Sequence, residues 1–445
     1  MVQTAANRER WGWGLLFVIL AAVLALHVGW AVTRPISDEE LQGLPDQLEY
    51  LQLARSLVSG SGYSFIDSRL AARVYAFRTP GYPLFLAACR ANVRVIQVVQ
   101  AIIATSMVLA VFLLAQLLSR PMDRGRGGGT RTGPGEARRM GWIAAILVGF
   151  SPILVYFGGL ILSETLFAAM LLWGMVLLIV GYGSTSGRAR VIPWLGGGIL
   201  LALSTLVRPS GIGLAVLLGI AATFVNRPGR GAYEQDRSAT RLRWPLPIGA
   251  TMLGLTVLAL LPWAIRNRGL LHSWVWLDTN AGYTFYDGYN PDATGASDQK
   301  FVKYMPQLRQ MDELNRSKYL RDLAIDYARA HPRHVLELAA AKFVRTWSPM
   351  PLSEQFSQRK YQLVGLLYSL PFDLLVLWGL GTGNLSRSAK VYVLLPAIYL
   401  SVIHMLTVGS LRYRLPAEAP LAILAASALS QGSSGRRSDA AIEVS

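Results

Sequence analysis

The sequence has little charge and almost no cysteine. Only 16% of its 445 residues are charged, 52% are hydrophobic, and Cys89 is the single cysteine. Because globular proteins carry about 25% charged residues, this balance indicates a polytopic membrane protein. One thiol excludes an intrachain disulfide and a cysteine-ligated metal site, and it says little about the redox compartment.

A cleavable signal pattern is also lacking. The first apolar span, residues 11–33, follows Arg8 and Arg10 and has no small-residue cleavage site after it, so we expect it to stay as a membrane anchor. The net charge is +17. Its arginines cluster in short loops, which indicates membrane topology rather than binding of nucleic acid.

Apolar runs predict about ten transmembrane helices. The stretch 191–225 is broken by Arg208, Pro209 and Gly211, which fits two short helices that meet at a polar elbow. A last run, 416–430, is short. The runs that are long enough to cross a bilayer core of about 30 Å are 11–33, 93–118, 140–158, 161–182, 245–264, 361–380 and 391–409.

Arginine placement predicts the orientation. The linkers 119–139 and 226–243 are rich in arginine and should be cytoplasmic. An even number of spans then puts both termini in the cytoplasm and the loops 34–92 and 265–360 outside it. We therefore expect a multi-pass protein of the cytoplasmic (inner) membrane with an extracytoplasmic active site.

This topology divides the chain into four regions. We expect the first half of the second loop to be irregular or to contain short strands, and its second half, 311–347, to be helical. About 95 residues cannot bury a large core alone, so this loop should rest on the spans and on the first loop. The regions are an N-terminal transmembrane module (1–264) that includes the first external loop (34–92), a small mixed extracytoplasmic loop domain (265–360), C-terminal transmembrane helices (361–430) and a disordered cytoplasmic tail (431–445).

The first external loop holds the main candidate for chemistry. Carboxylates are least expected between two membrane helices without a reason. The segment PDQLEYLQLARSLV predicts a short amphipathic helix, with Leu44, Leu48, Leu51 and Leu57 on one face and Asp46 near its start. We therefore take Asp46 as the principal candidate. The carboxylates of the loop are Asp38, Glu39, Glu40, Asp46, Glu49 and Asp67.

The order of several short motifs resembles the GT-C-fold glycosyltransferases, specifically the bacterial branch related to protein O-mannosyltransferases and the aminoarabinose transferase of lipid A. The motifs span nearly the whole chain: PDQLEYLQLARSL, RTPGYPLFLA, SPILVYFGGLILSETLF, LVRPSGIGLA, LPWAIRNRG and LRYRLPAEAPL. The resemblance implies an all-α integral membrane protein of GT-C type with a small mixed loop domain. It also implies a polyprenyl-phosphate-linked sugar as donor and an aspartate of the first external loop as catalytic base.

That aspartate matches Asp46, with one departure from the family pattern. Many relatives carry two adjacent acidic residues at this place, whereas Asp46 is followed by Gln47 and the next acid is Glu49. A neighbouring acid, either Glu49 or one of the run 38–40, therefore stays open as the base.

A polyprenyl phosphate leaving group needs positive charge to stabilise it. Several arginines fall on the external side of the predicted topology, where the positive-inside rule does not place them. We take them as candidates for binding the donor phosphate; structural pairs with Glu164 or Glu418, or contact with lipid headgroups, are the alternatives. They are Arg78, Arg208, Arg266, Arg412 and Arg414.

Other polar residues complete the predicted site. Glu164 begins a membrane helix, where an acid is costly and should face the cavity. It could be a second carboxylate, a ligand of a divalent metal ion or a partner of an arginine, and helix capping is the alternative. His404, Tyr50 and Tyr82 are candidates for substrate contact. A divalent metal ion stays open as a cofactor, without an identified ligand set.

We therefore predict an inverting glycosyltransferase that moves a sugar from a polyprenyl-phosphate donor to a hydroxyl acceptor, which is a lipid, a glycan or a protein. Two alternatives remain. A lipid-linked glycan flippase or transporter would favour charges near the midplane and repeated halves. A glycan polymerase or ligase would place its essential arginines and histidine in one large late loop.

Overall fold

The computed structural model describes residues 2–33, 44–119, 133–183, 187–225, 245–352 and 358–430. Three features singled out in the sequence lie outside these residues: the acidic run 38–40, most of the two arginine-rich linkers and the tail 431–445.

The described chain is almost entirely helical. The first half contains α1 (Val2–Thr33), α2 (Pro45–Val58), β1 (Phe65–Asp67), β2 (Ala72–Val74), α3 (Gly81–Ala88), α4 (Val93–Leu118), α5 (Pro134–Gly149), α6 (Pro152–Gly158), α7 (Glu164–Gly183), α8 (Gly187–Val207) and α9 (Leu214–Val225). The second half contains α10 (Pro245–Leu271), α11 (Asn280–Gly288), α12 (Phe301–Tyr304), α13 (Glu313–Ala330), α14 (Pro332–Trp347), α15 (Arg359–Thr382), α16 (Arg387–Met405) and α17 (Leu415–Ser430). Short 3₁₀ helices lie at Pro209–Gly211, Pro306–Gln310 and Leu411–Arg414.

Within the described residues, seven helices are long and apolar enough to cross a membrane, and they lie in α1, α4, α7, α8, α10, α15 and α16. The pair α5 and α6, bent by 49°, is long and apolar enough when its two helices are taken together as one broken span. The two other expected spans correspond to α9 and α17, which have 12 and 16 residues. The protein is therefore a multi-pass, all-α membrane protein.

The bend between α5 and α6 has a local cause. Pro152 has no N–H to continue the helix, and the residue before a proline avoids the helical region. Ser151 has extended backbone and accepts a hydrogen bond of 3.3 Å from the Leu154 N–H, so it caps α6. The Gly149 carbonyl at the end of α5 lies 3.2 Å from Nε2 of His27 in α1.

Helix α17 occupies the centre of the bundle. All but one of its residues are buried, and it packs against α5, α7, α15 and α16. Gly379 of α15 allows the closest approach, since a Cβ at this position would overlap the Leu424 carbonyl. This packing fixes the start of α17, which follows the 3₁₀ helix that carries Arg412 and Arg414.

The segment between α10 and α15, which we call the loop domain, rests on the first loop, as predicted. Tyr283 and Leu320 from the loop domain share one apolar cluster with Leu53, Phe65 and Phe77 from the first loop. The helical second half is confirmed by α13 and α14. The expectation of an irregular first half is wrong at α11, whose first turn is held by a hydrogen bond of 2.9 Å from the Ala281 N–H to Oδ1 of Asp278.

The helix predicted over the acidic part of the first loop is α2, and it begins with Pro45 as suits a first turn. Its buried face differs from the predicted leucine face, since Gln47, Glu49 and Tyr50 are buried together with Leu51. Gln47 accepts a hydrogen bond of 2.9 Å from the Ile161 N–H. Tertiary partners for the polar groups thus rotate the helix away from the orientation that its leucines favour. The hairpin β1–β2 that follows is antiparallel.

Candidate active site

Asp46, in the first turn of α2, lies between two guanidinium groups. Arg78 Nη2 donates to Oδ1 at 2.5 Å, and Arg412 Nη2 donates to Oδ2 at 2.6 Å. Burial disfavours the charged carboxylate, but Arg78 and Arg412 outweigh burial and hold the pKa of Asp46 well below its usual range. Asp46 is therefore ionised in this arrangement.

Glu49 lies one turn later on α2 and shares Arg78 with Asp46. Arg78 donates to its Oε2 from Nε at 2.8 Å and from Nη2 at 2.6 Å, and Arg69 Nη2 lies 3.5 Å from its Oε1. Burial raises the pKa of Glu49, although both arginines oppose this change. Arg69, in the turn between β1 and β2, also binds Asp67 at 2.9 Å and the Gln299 side chain of the loop domain.

Glu164, the first residue of α7, contacts two arginines. Its Oε1 lies 2.7 Å from Arg208 Nη1 and 3.5 Å from Arg412 Nε, and the residue is 1% exposed. Ser163 accepts a hydrogen bond of 3.1 Å from Arg208 Nη1. The ion pairs explain why an acid is retained at this buried helix start.

Six side chains therefore form one arginine–carboxylate cluster: Asp46, Glu49, Glu164, Arg78, Arg208 and Arg412. Its formal charge is zero when all six are ionised. The elements that supply them are α2, α7, the segment before α3, the elbow between α8 and α9, and the 3₁₀ helix before α17. The cluster thus forms only in the folded bundle.

Aromatic rings flank the cluster. The Tyr413 ring lies 5.3 Å from the Arg208 guanidinium and 5.1 Å from that of Arg412, and the Arg78 guanidinium lies 5.3 Å from the Tyr50 ring. These are cation–π distances. His404 stacks on Tyr413 at 4.1 Å, so it supports the ring under the arginines.

Tyr82 lies behind this layer. It is fully buried, donates to Gln100 Oε1 at 2.5 Å, and contacts the edge of the Tyr50 ring at 4.8 Å between centroids. Tyr50 reaches the cluster, with its hydroxyl 3.5 Å from that of Ser163. Of the two tyrosines predicted to contact substrate, the structure brings only Tyr50 to the cluster.

Arg266 and Arg414 lie apart from the cluster. Arg266 donates to the carbonyl oxygens of Tyr75 at 2.6 Å and Tyr63 at 2.7 Å. Arg414 is fully buried and pairs with Asp373 at 2.8 Å and Glu418 at 3.0 Å. In this conformation Arg266 binds the first loop to α10, and Arg414 connects α15 to α17.

A further carboxylate, Asp278, faces Arg78 from the loop domain. Burial raises its pKa to about 6, although the nearby Arg78 guanidinium acts in the opposite direction. Within the described residues, no arginine, lysine or histidine nitrogen lies within ion-pair distance of this carboxylate. Asp278 is not among the site residues predicted from the sequence, where its segment is expected to be irregular.

The structure also has an apolar cavity of about 310 Å³. Leu411, the neighbour of Arg412, forms part of its wall. The other walls come from α1, α6 and the start of α15, and its lining includes Trp30, Tyr156, Lys360 and Tyr361.

The described residues contain no group of three His, Cys, Asp or Glu side chains that could hold a metal ion. Asp46, Glu49 and Glu164 are each engaged by guanidinium groups, whose charge opposes binding of a cation. The residues of the cluster thus do not fit a divalent metal in this arrangement.

Neither a protein-family model nor a curated protein matches the sequence. Among solved structures, the oligosaccharyltransferase AglB of Archaeoglobus fulgidus, in complex with an inhibitory peptide and a dolichol-phosphate, is similar with 12% identity and a TM-score of 0.54 over 98% of this chain and 52% of that chain. The Archaeoglobus fulgidus oligosaccharyltransferase with Zn and sulfate is similar with 14% identity and a TM-score of 0.50, over 93% of this chain and 48% of that chain. ArnT of Cupriavidus metallidurans bound to undecaprenyl phosphate gives 13% identity and a TM-score of 0.38, over 95% of this chain and 79% of that chain.

The chain spans about half the length of the oligosaccharyltransferase chains that it matches. At these identities the likeness to the oligosaccharyltransferase concerns the fold. It confirms the expectation drawn from the order of the motifs: this chain has the GT-C fold.

Proposed function

We propose that the chain is an inverting glycosyltransferase that moves a sugar from a polyprenyl-phosphate donor to a hydroxyl acceptor at the extracytoplasmic face of the cytoplasmic membrane. The observation that carries this proposal is the position of Asp46 between Arg78 and Arg412, and an apolar cavity is lined by Leu411, the neighbour of Arg412. Anion-binding groups, a carboxylate and an apolar surface are the three elements that the reaction needs.

The arginines supply the site for the donor phosphate. Guanidinium groups bind phosphate oxygens in pairs and stabilise charge that develops on a leaving group. Arg412 Nη1 is buried and has no hydrogen-bond partner among the described residues, so it is free to donate to a phosphate oxygen. We assign phosphate binding to Arg78, Arg208 and Arg412, and structural roles to Arg266 and Arg414.

The apolar cavity supplies a place for the first isoprenoid units of the lipid. We infer that a lipid whose phosphate binds Arg412 places the start of its chain there, because Leu411 in the cavity wall precedes Arg412. The solved AglB complex contains a dolichol-phosphate, which agrees with a lipid phosphate as donor here.

The reaction forms a bond between the acceptor oxygen and the anomeric carbon of the sugar and breaks the bond from that carbon to the phosphate oxygen. The electron pair of the broken bond stays on the phosphate, and the acceptor proton goes to a carboxylate, which we propose is Asp46. In the described arrangement two arginines hold its pKa low, so Asp46 is a weak base. A donor phosphate that draws the arginines away would raise its pKa, so the base becomes effective only once the donor is bound.

Glu49 is the alternative base within the described residues, and its raised pKa suits proton transfer better. Its disadvantage is position, because Arg78 and Arg69 approach it from two sides. No step of the proposed reaction uses a metal ion, since the cluster does not fit one.

The first experiment measures sugar release from radiolabelled polyprenyl-phosphate sugars by the full-length protein in detergent, with a membrane extract as the source of acceptors. Wild type is compared with Asp46→Asn and with Asp322→Asn, whose side chain is 59% exposed. We expect turnover by wild type and by the control, and loss of turnover in Asp46→Asn with retained binding of polyprenyl phosphate.

Equal turnover in all three proteins would move the base to Glu49 or to the acidic run 38–40. Binding of lipid phosphate by wild type without turnover of any sugar would contradict a transferase and favour the flippase. The acceptor is proposed by class, as a hydroxyl group of a lipid, a glycan or a protein.

A further inference from the structure

Residues 406–410, which we call the connecting segment, form a non-helical stretch between α16 and the 3₁₀ helix that carries Arg412. The segment ends directly on that helix, because the Tyr413 N–H donates to the Ser410 carbonyl at 3.0 Å. The place of Arg412 relative to α16 therefore depends on the path of the connecting segment.

The loop domain touches this segment at Gly288, the last residue of α11. A Cβ at Gly288 would lie 2.2 Å from the Thr407 carbonyl oxygen, whereas Cβ atoms essentially never lie within 3.0 Å of another heavy atom. The carbonyl belongs to the main chain, so it cannot turn away as a side chain would. Only glycine allows α11 to approach the segment this closely.

A second contact runs in the opposite direction, from Gly409 of the connecting segment to α14. A Cβ at Gly409 would lie 2.4 Å from the Lys342 carbonyl oxygen and 2.7 Å from the Lys342 Cα. The Gly409 N–H donates to the Gly295 carbonyl of the loop domain at 2.8 Å. We call Gly288, Gly295 and Gly409 the glycine seat, since all three lie against the buried Lys342.

Both sides of the seat are held by other contacts. The loop domain is packed on the first loop around Tyr283, and Trp347 at the end of α14 donates to Ser401 of α16 at 2.8 Å. On the other side, α17 is buried along almost its whole length. A side chain added to the seat would therefore displace the non-helical connecting segment, which lies between these fixed elements.

Such a displacement reaches Arg412 because its contacts leave little tolerance. Its guanidinium donates to Asp46 at 2.6 Å and lies 3.5 Å from Glu164, and hydrogen bonds of this kind weaken steeply when distance or angle changes. A small misplacement of a group that binds a reacting phosphate costs much of its effect.

We propose that the glycine seat positions Arg412: by admitting the connecting segment to the loop domain, Gly288, Gly295 and Gly409 hold the guanidinium where it binds the donor phosphate. The assignment rests on the proposed function, in which Arg412 binds that phosphate, and it gives the loop domain a part in donor binding. None of the three glycines contacts the donor in this assignment, so they are positioning residues.

The test measures the Kd for polyprenyl phosphate and the unfolding temperature of the full-length protein in detergent. Gly288→Ala and Gly409→Ala place a methyl group on the two sides of the seat. The matched control is Gly181→Ala, whose Cβ would lie 2.8 Å from the Trp194 main-chain nitrogen, between α7 and α8. Gly181 is near the end of α7 that is remote from Glu164.

Gly295→Asn is a milder variant for the case that an alanine variant does not fold. Asparagine tolerates a positive φ, and the φ of Gly295 is +81°. A Cβ there would lie 3.3 Å from the Ala341 Cβ and the Lys342 Cγ, so the fold should persist while the Gly295 carbonyl moves away from the Gly409 N–H. We expect the Kd to rise by about 3- to 10-fold, as loss of one neutral hydrogen bond does.

We expect Gly288→Ala and Gly409→Ala to raise the Kd for polyprenyl phosphate by about 10- to 100-fold, as loss of a hydrogen bond to a charged group does. Gly181→Ala should lower the unfolding temperature by a similar amount and leave the Kd at the wild-type value. Weakened binding of the same size in this control would overturn the assignment, because general loss of packing would then explain it.

A double-mutant cycle separates positioning from a merely structural role. If the seat acts through Arg412, Gly409→Ala should change the Kd little further once Arg412→Gln has removed the guanidinium. Additive effects of the two substitutions would overturn the assignment.

Wild-type Kd values in Gly288→Ala, Gly409→Ala and Gly295→Asn, beside weakened binding in Arg412→Gln, would also overturn the positioning role and leave the proposed function standing. Failure of the proposed function has a different signature. Arg412→Gln would then bind polyprenyl phosphate as wild type does, and the positioning role would fail with it.

Discussion

Arg412 donates a hydrogen bond of 2.6 Å to Asp46 across 366 positions of sequence. The contact joins the first loop to the segment before the last helix. Because the same guanidinium also approaches Glu164 at 3.5 Å, it connects two carboxylates that come from different parts of the bundle.

Replacing Arg412 by lysine keeps the positive charge and tests whether the geometry of the guanidinium contacts is also needed. An ammonium group is a point charge and cannot reproduce the contacts of Nε and Nη2. We expect sugar transfer to fall by about 100-fold, comparable to the loss of one donor in an oxyanion site. Arg329→Lys, at a side chain that is 78% exposed, is the matched control. Wild-type transfer by Arg412→Lys would contradict a phosphate-binding role.

Arg266 should behave differently from Arg412. It binds the carbonyl oxygens of Tyr63 and Tyr75 and stacks on the Trp263 ring at 4.7 Å. We expect Arg266→Gln to lower the unfolding temperature while it leaves the Kd for polyprenyl phosphate unchanged, and Arg412→Gln to weaken that binding. If both variants weakened the binding of polyprenyl phosphate equally, Arg266 would have to be counted among the residues that bind the donor.

The sequence could identify most of the spans and several of the charged residues, for clear physical reasons. Bilayer thickness sets the length of an apolar run, so the membrane helices are readable directly from hydropathy. Asp46 and Glu49 were found because acids between two spans need an explanation. Arg208 and Arg412 stand out in the sequence because cations on the external side of the predicted topology also need an explanation.

The sequence could not sort these residues by role. Arg266 and Arg412 are indistinguishable in one dimension, because a guanidinium binds backbone carbonyls as readily as carboxylates. Arg69 was missed because the strands beside it have three residues each and leave no periodic signal. The hydrogen bond from the Thr279 N–H to the Ala76 carbonyl, which joins the loop domain to the first loop, is seen only in the folded chain.

Stability of the loop domain should depend on pH through Asp287. This residue is 2% exposed and accepts hydrogen bonds from the Ser297 hydroxyl at 2.6 Å and the Asp298 N–H at 2.8 Å. Burial raises its pKa from an ordinary value of 3.8 to about 6. The folded state therefore binds the proton more tightly, and stability falls as the pH rises through this window.

Lys342 acts at the other end of the pH range. Its Nζ lies 3.7 Å from the centre of the Tyr289 ring and has no hydrogen-bond partner among the described residues. Burial lowers its pKa from 10.5 to about 8, so its ionisation makes stability rise with pH above 8. Thermal unfolding of the purified protein should therefore occur at the lowest temperature between pH 6 and 8.

The Asp287→Asn variant tests whether Asp287 causes the fall in unfolding temperature on the acidic side of this minimum. The amide can still accept from Asp298 and can donate to Ser297, so the fold should persist. We expect the decline in unfolding temperature between pH 4 and 6 to be smaller than in wild type and in Asp292→Asn. An unchanged decline would assign it to other acids with raised pKa values, of which Asp278 is one.

Glu313, at the start of α13, fastens the loop domain to the first loop, and no cation among the described residues lies within ion-pair distance of it. Its Oε2 accepts from the Tyr75 N–H at 2.6 Å, and its Oε1 accepts from the Ala76 N–H at 2.9 Å and the Thr279 hydroxyl at 2.6 Å. In Glu313→Gln an amide NH₂ would face one of these donors, so at least one hydrogen bond is lost, at a cost of about 1–3 kcal/mol.

Because Ala76 precedes Arg78 and Thr279 follows Asp278, we expect the Glu313→Gln variant to unfold at lower temperature and to lose transfer activity in proportion. Glu337→Gln, at a side chain that is 60% exposed, should do neither. Faster proteolysis of the 272–300 segment in Glu313→Gln would locate the loss at this contact, whereas wild-type unfolding and activity would show that the apolar cluster around Tyr283 holds the two loops together without Glu313.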